Sequence, residues 1–288
     1  MSQKTQNRSP RGLASNSVLR WVFLGIFTFF VAFPLYWMIM NSFKTGTEAF
    51  ATPPTFLPMQ PTVLSYVTSL AMGQHSYGVS FRNFVNSIVV CICTVVICIG
   101  LSAPAAYSFS RARLKGSSLM LLFVLLLRMV PPIVIVVPLY SIMRTLGLID
   151  TYPALIIAFV ALNMPFAIWL LKGFYDGIPR DLVEAGMLDG CTHFGVFFRI
   201  FFPLSLPGLT TGAILVAIGT WNDILVSMVM AREKVKPVSV GLGLLDTQFD
   251  TLWAQVMATS VLAILPVIFF AFLVQKNLVR GLTMGAVR

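Results

Sequence analysis

Two histidines, four cysteines and ten carboxylates are the side chains that 288 residues offer as candidate metal ligands, and no serine or cysteine constellation for nucleophilic chemistry stands beside them. Cys91, Cys93, Cys98 and Cys191 lack the paired CxxC spacing of a zinc site, and three of them share one apolar run, where they read as small apolar fillers. His75 and His193 belong to different segments and read as surface or packing residues. No Gly-Lys dipeptide occurs anywhere, so the chain carries no glycine-rich loop of the GxxxxGK type to cradle a nucleotide. By this reading it is not an enzyme and requires neither metal nor cofactor. Two groups of residues remain. One is a compact polar stretch, "EAGMLDGCTHFGVFFRIFFPLSLP", residues 184 to 207, that opens with a carboxylate, breaks at glycine and closes between prolines. The other is a handful of polar side chains set inside apolar runs: Arg128, Asn163, Trp221, Asn222 and Asp223. Their chemistry is docking and recognition rather than bond-making.

The elements that must position them are set by composition. The chain is 57% hydrophobic and 10% charged, with a mean hydropathy of +0.87, whereas charged residues make up about a quarter of ordinary soluble domains. It belongs in lipid. Spanning the hydrocarbon takes about 20 apolar residues, and six stretches qualify, near 22–41, 88–107, 120–140, 152–171, 209–230 and 256–274. The first follows a basic stretch like that of a signal peptide, but its apolar run is too long and no small-residue cleavage site follows, so it is expected to stay as a helix. Six spans put both termini on one side. The side carrying the termini holds 13 Lys and Arg against 7 elsewhere, which predicts cytoplasmic termini and a cytoplasmic 184–207 segment. The formal net charge of +10 is scattered between apolar runs and forms no patch for nucleic acid.

Between the first two spans, "TPPTFLPMQP" at 52–61 predicts an extended outward loop. Pro34, Pro104, Pro131 with Pro132, Pro165 and Pro266 fall inside spans, where breaks persist only if neighbouring helices or a cavity satisfy the freed carbonyls. Around the polar stretch, Pro179 suits a first helical turn, Asp181 and Glu184 have capping-box spacing, and Gly190 suits a left-handed stop. On that short helix Leu182, Ala185, Gly186 and Asp189 make a narrow face that another surface can approach. Thr192 then caps a second helix carrying Phe194, Phe197, Phe198 and Phe201, with Pro203 as its end.

Arg128 lies well inside the third span, where a charge costs several kcal/mol unless it meets a partner or water. It is expected to face a pathway or to pair with Asp223 or a partner subunit. Asp223 stands beside Trp221 and Asn222 in the fifth span, and Asn163 in the fourth; rings that stack on C–H faces and amides that pair with hydroxyls suit sugars.

The 184–207 stretch resembles the signature EAAxxDGAxxxxxFxxIxxPLxxP of the inner-membrane permease subunits of binding-protein-dependent ABC importers. Glu184, Ala185, Asp189, Gly190, Phe197, Ile200, Pro203, Leu204 and Pro207 stand in register, and Gly186 and Cys191 stand where that family usually has alanine. "NSFKTGTEAFATPP", "NFVNSIVV", "AAYSFSRARLKG", "MVPPIVIVVPLYSIMRTLGLIDTY", "WND" and "GLTMGAV" resemble its carbohydrate-type branch, over roughly 20 to 287. The resemblance implies an all-α, polytopic membrane protein with six transmembrane helices and a cytoplasmic two-helix coupling loop. It implies a cytoplasmic tail (1–20), a permease domain (21–278, coupling loop about 178–207) and a second cytoplasmic tail (279–288), in a bacterial or archaeal plasma membrane. It implies that Glu184, Ala185, Gly186, Asp189 and Gly190 dock on a cytoplasmic ABC ATPase dimer. The other implied partners are a second homologous permease subunit, an extracytoplasmic solute-binding protein and a small-molecule substrate, with membrane lipid around them and no nucleic acid. The substrate class expected is a sugar or oligosaccharide. Glycerol phosphate or a polyol, or an ion-coupled secondary transporter, stay open as alternatives.

Overall fold

A computed structural model describes residues 13–70, 79–111, 116–245 and 252–285. His75, Arg113, Lys115, residues 1–12 of the first expected tail and residues 286–288 of the second lie outside the described residues. Every regular element among the described residues is helical. In chain order these are α1 (Leu13–Ser42), α2 (Gly46–Ala49), α3 (Leu64–Leu70), α4 (Phe81–Arg111), α5 (Ser117–Met129), α6 (Pro132–Thr145) and α7 (Tyr152–Asp176). Then come α8 (Asp181–Leu188), α9 (His193–Val196), a π-helical turn (Phe197–Phe201), α10 (Phe202–Leu204), α11 (Leu206–Asn222), α12 (Leu225–Met230), α13 (Val238–Gly243) and α14 (Trp253–Gly285).

Among the described residues four helices are long and apolar enough to cross a membrane, and six spans result if each of two bent helix pairs is counted as one. The expected third span is one of these pairs: α5 and α6 meet at 91°. Pro131 and Pro132 explain the break, because neither can donate a backbone hydrogen bond and the residue before each is pushed out of helical conformation. Pro34, Pro104, Pro165 and Pro266 stay inside continuous helices. The expected fifth span also breaks, at Asp223, where α11 stops in extended backbone and α12 restarts.

The chain forms two compact units, Met1–Val67 with Leu252–Val261, and Thr68–Thr251 with Leu262–Arg288. In the first, the proline-rich loop is non-helical, as its composition predicts, and folds back on the end of α1. The fully buried Lys44 donates to the Thr55 carbonyl at 2.6 Å and sits over the Trp37 ring at 4.9 Å. Glu48 accepts from the Met59 N–H at 2.7 Å and the Thr55 hydroxyl at 3.0 Å. A buried ammonium is tolerable when a carbonyl and a ring face replace its water.

In the second unit α4 and α7 pack along their length with α11 against both. One apolar core joins Val90, Val136, Leu155, Phe159, Val226 and Met230; another joins Ala106, Leu171, Tyr175, Val196, Phe201 and Leu209. The segment after α12 is tied down by Asp150, whose φ of +62° is the left-handed conformation that Asp tolerates better than most residues. Its carboxylate accepts from the backbone N–H groups of Arg232 (2.9 Å), Glu233 (3.2 Å), Lys234 (3.0 Å) and Val235 (3.3 Å). Asn83, Asn86 and Ser87 of α4 bond the same segment at Lys236 and Val238.

Burial pushes the Asp150 carboxyl up, but the four backbone N–H groups, Lys234 foremost, outweigh it and hold it below the ordinary carboxylate range. A depressed folded pKa means the tie is fully present above about pH 3.9, the unfolded value, and is lost as pH falls through the lower folded value. Asp150→Ala should therefore speed amide exchange at 232–235 by roughly tenfold or more at neutral pH, the equivalent of about 1–3 kcal/mol. In the parent chain the same amides should stay protected down to about pH 4. Unchanged protection in the variant would show the carboxylate to be a bystander.

Candidate functional site

The segment 178–207 links α7 to α11, and its shape is local in origin. α8 begins after Arg180, whose backbone is helical and whose side chain makes no capping bond. The expected capping box does not form: Asp181 is already the first helical residue, and Pro179 lies before the helix rather than in its first turn. Asp181 and Glu184 both fall in that first turn, where negative charge favours the exposed N–H groups of the helix dipole. The end of α8 follows expectation closely. Gly190 has φ +84°, its N–H donates to the Met187 carbonyl at 3.1 Å, and the Cys191 N–H donates to the Gly186 carbonyl at 3.0 Å. That pair of bonds closes a helix with a left-handed residue in it and turns the chain sharply. Thr192 then caps α9, its hydroxyl accepting from the Gly195 N–H at 3.2 Å.

Beyond Thr192 the helix does not end at Pro203. It widens into the π turn, with the Phe202 N–H bonded to the Phe197 carbonyl, and runs through Leu204. A proline ring clashes with the carbonyl four residues back and offers it no N–H; the wider register preceding Pro203 accommodates that defect. Leu206 starts α11 after a 76° bend.

The residues singled out from the sequence divide into two sets. Glu184, Ala185, Asp189 and Gly190 are exposed, with Leu188 at 88% and Phe194 at 73% exposure beside them. Gly186 instead turns inward: a Cβ there would sit 2.7 Å from Ile200 Cδ1 and 3.1 Å from Val196 Cγ2. The narrow face read from the sequence is thus split, its glycine seating the second helix of the insert and its flanks left free. The Phe stripe splits too. Phe197 and Phe201 are buried among Tyr107 and Tyr175, with ring centroids of Tyr107 and Phe201 4.9 Å apart, while Phe194 and Phe198 are exposed.

The polar residues set in apolar helices do not converge on one another. Trp221 is buried and its indole N–H donates to the Ala263 carbonyl at 3.0 Å. Asn222 bonds back to the Ile218 carbonyl, and Asp223 Oδ1 accepts from the Val226 N–H at 2.8 Å, capping α12. Asn163 bonds the Phe159 carbonyl at 2.9 Å, and its Oδ1 faces Gly219. Arg128, at the last turn of α5, lies over the Phe166 ring at 5.3 Å. The expected ion pair between Arg128 and Asp223 is not formed; among the described residues the ion pair present is Lys172–Asp176 at 2.6 Å.

One residue that sequence reasoning passed over as topology-setting charge is central here. Arg111, the last residue of α4, donates through Nη2 to the carbonyls of Tyr175 and Ile178 and lies over the Phe201 ring at 4.9 Å. Its neighbour Ser110 bonds Asp176 at 2.7 Å. Nothing local in sequence marks it, because its partners lie far along the chain.

Comparison with known proteins gives this geometry a context. The family described as "binding-protein-dependent transport system inner membrane component" matches residues 96–284. The chain is 31% identical over 275 residues to the sulfoquinovosyl glycerol transport system permease protein SmoH of Agrobacterium fabrum, covering 95% of each. It is 33% identical over 258 residues to the trehalose/maltose transport system permease protein MalG of Thermococcus litoralis, covering 89% of this chain and 91% of that one. The crystal structure of a bacterial ABC transporter that imports the acidic polysaccharide alginate contains a chain with the same fold. It superposes with a TM-score of 0.76 at 24% identity, over 95% of this chain and 99% of that one.

Proposed function

This chain belongs to the binding-protein-dependent transport system inner membrane component family, and from that premise we propose that it forms half of an import pathway for a sugar or oligosaccharide. A second homologous permease supplies the other half, and a cytoplasmic ABC ATPase dimer hydrolyses the ATP. An extracytoplasmic binding protein delivers the substrate. The observation that carries this reading is the insert: a two-helix segment whose Glu184, Asp189, Leu188 and Phe194 are exposed, on a chain whose sequence contains no GxxxxGK nucleotide-binding loop. Such a segment receives mechanical work from another protein. The 13-to-7 distribution of Lys and Arg supports cytoplasmic termini and a cytoplasmic insert. Relatives named for trehalose, maltose and a sulfoquinovosyl glycoside support a glycoside as substrate.

Arg128 favours one refinement of that class. Among the described residues it meets a ring face and no carboxylate, and an anionic sugar or glycerol phosphate would supply the missing negative charge. Reconstituted with its ATPase, second permease and binding protein, the complex should take up glycosides only with MgATP. On this reading Arg128→Leu lowers uptake of a sulfonated or phosphorylated substrate by roughly 10- to 100-fold, the worth of a charged hydrogen bond of about 1.5–3 kcal/mol, and leaves trehalose uptake nearly unchanged. Equal loss for neutral and anionic substrates removes the anion role. Uptake by the purified chain alone would refute the importer reading altogether.

A further inference from the structure

Three elements meet at the guanidinium of Arg111. It ends α4, its Nη2 donates to the carbonyls of Tyr175 and Ile178 where α7 passes into the insert, and its plane lies over the Phe201 ring in the insert's second helix. The carbonyls at and just beyond the end of α7 are thus held from another span as well as by the turn that follows the helix. We infer that Arg111 is the positioning residue that makes α4 move with the insert, so that displacement of α8 and α9 by a docked ATPase reaches a second spanning helix directly. The inference rests on the importer reading above and extends it to a specific joint.

The type of residue matters. A guanidinium holds the two N–H bonds of Nη2 in a fixed plane, so that they serve two carbonyls while the face of that plane lies on a ring, whereas an ammonium is a point donor on a flexible stem. The nearby carboxylate, Asp176, is occupied by Ser110 and Lys172, so among the described residues Arg111 is not locked into a bidentate ion pair. Its Nε is buried with no acceptor among those residues. This is a poor arrangement for static stability and a suitable one for a joint, because carbonyl and ring contacts survive a change of angle that would break a bidentate pair. The surrounding rings extend the contact: Tyr107, on α4 one turn before Arg111, lies 5.2 Å from Phe197 and 4.9 Å from Phe201.

The test uses the full complex, with ATPase pair and second permease, in lipid nanodiscs. The four native cysteines are replaced, and a reporter Arg82→Cys is placed on the exposed first turn of α4, at the end of the helix opposite Arg111. The probe is MgATP with vanadate, and the readout is the labelling rate by a maleimide. With Arg111 in place, trapping should change that rate at least fivefold. With Arg111→Gln or Arg111→Lys, the change should fall below twofold while the ATPase still co-purifies and hydrolyses ATP at its basal rate. A parental complex with no change on trapping, a full change in Arg111→Gln, or full restoration by lysine each overturns the inference. If Arg111→Gln does not assemble, Phe201→Leu decides, since it keeps the apolar bulk and removes the ring face: a reduced change supports the joint, and a full change sinks it. Failure of the parental chain to bind any ATPase is a different result, and it overturns the importer reading beneath.

Discussion

If the insert docks on an ATPase as proposed, Leu188→Asp and Glu184→Lys should leave the chain folded in the membrane and abolish that docking. Leu188 is 88% exposed at the tip of α8, so replacing it removes no packing within the chain. Glu184 is exposed as well, and its service to the helix dipole is worth about 0.3–1 kcal/mol, too little to decide whether six spans assemble. In a docked complex the balance reverses. Burying a leucine contributes about 1.5–3 kcal/mol, and an aspartate in the same cleft brings an unpaired charge instead, so affinity should fall roughly 30-fold or more, the scale of an interface hot spot. Glu184→Lys sets a positive charge where a negative one stood, which costs most if the cleft is basic. Gly190→Val reaches the same end through the backbone: at φ +84° a β-branched residue is strained by about 1–3 kcal/mol, and the turn that aims α8 is lost. Co-purification from detergent, beside thermal unfolding of the subunit, separates the two effects. Variants that retain the ATPase at parental affinity would show that the exposed tip is not where work enters.

How far the sequence carried the reading depends on the reach of each interaction. The stop at Gly190 and the cap at Thr192 were legible because both are closed by partners within five residues. The apolar stretches were legible from hydropathy, a property of each helix alone: four are continuous spanning helices among the described residues, and six spans result if each bent pair is one. Pro131 and Pro132 marked a break but not its 91° angle, which is set by what α5 and α6 pack against. The backbone partners of Asp223 and Trp221, the Val226 N–H and the Ala263 carbonyl, were not legible, because the first depends on where the helix breaks and the second lies 42 positions away. Arg111 was invisible as a joint because its acceptors lie 64 and 67 positions away. Gly186 was read as part of a docking face, and its inward direction follows from the angle between α8 and the helix after it, which no local pattern fixes.

That dependence on close approach is sharpest at Gly208, and it gives the largest expected effect on stability. Gly208 lies in the first turn of α11, where the chain re-enters the bundle from the insert and crosses the last turn of α7. A Cβ there would meet Phe174 Cγ at 2.6 Å and both its Cβ and Cδ1 at 2.9 Å. The ring can rotate away, but Phe174 Cβ is fixed to the α7 backbone, so relief requires the two helices to separate. In lipid, where apolar solvent gives helices no hydrophobic reason to associate, such close crossings by small residues supply much of the packing. Gly212, one turn further along, is the control: a Cβ there would find Ile99, Leu171 and Leu170 side-chain ends at 3.4 to 3.7 Å, ordinary contact or nearly so. Gly208→Ala should therefore destabilise by about 1–3 kcal/mol through overpacking and lower the unfolding midpoint by roughly 3–10 °C, with Gly208→Val more severe still. Gly212→Ala should change it by less than about 2 °C. Because α7 and α11 flank the insert on both sides, Gly208→Ala should also weaken ATPase retention in proportion to its loss of stability. Equal tolerance at the two glycines would mean that α7 and α11 do not cross at Gly208 as closely as these distances require.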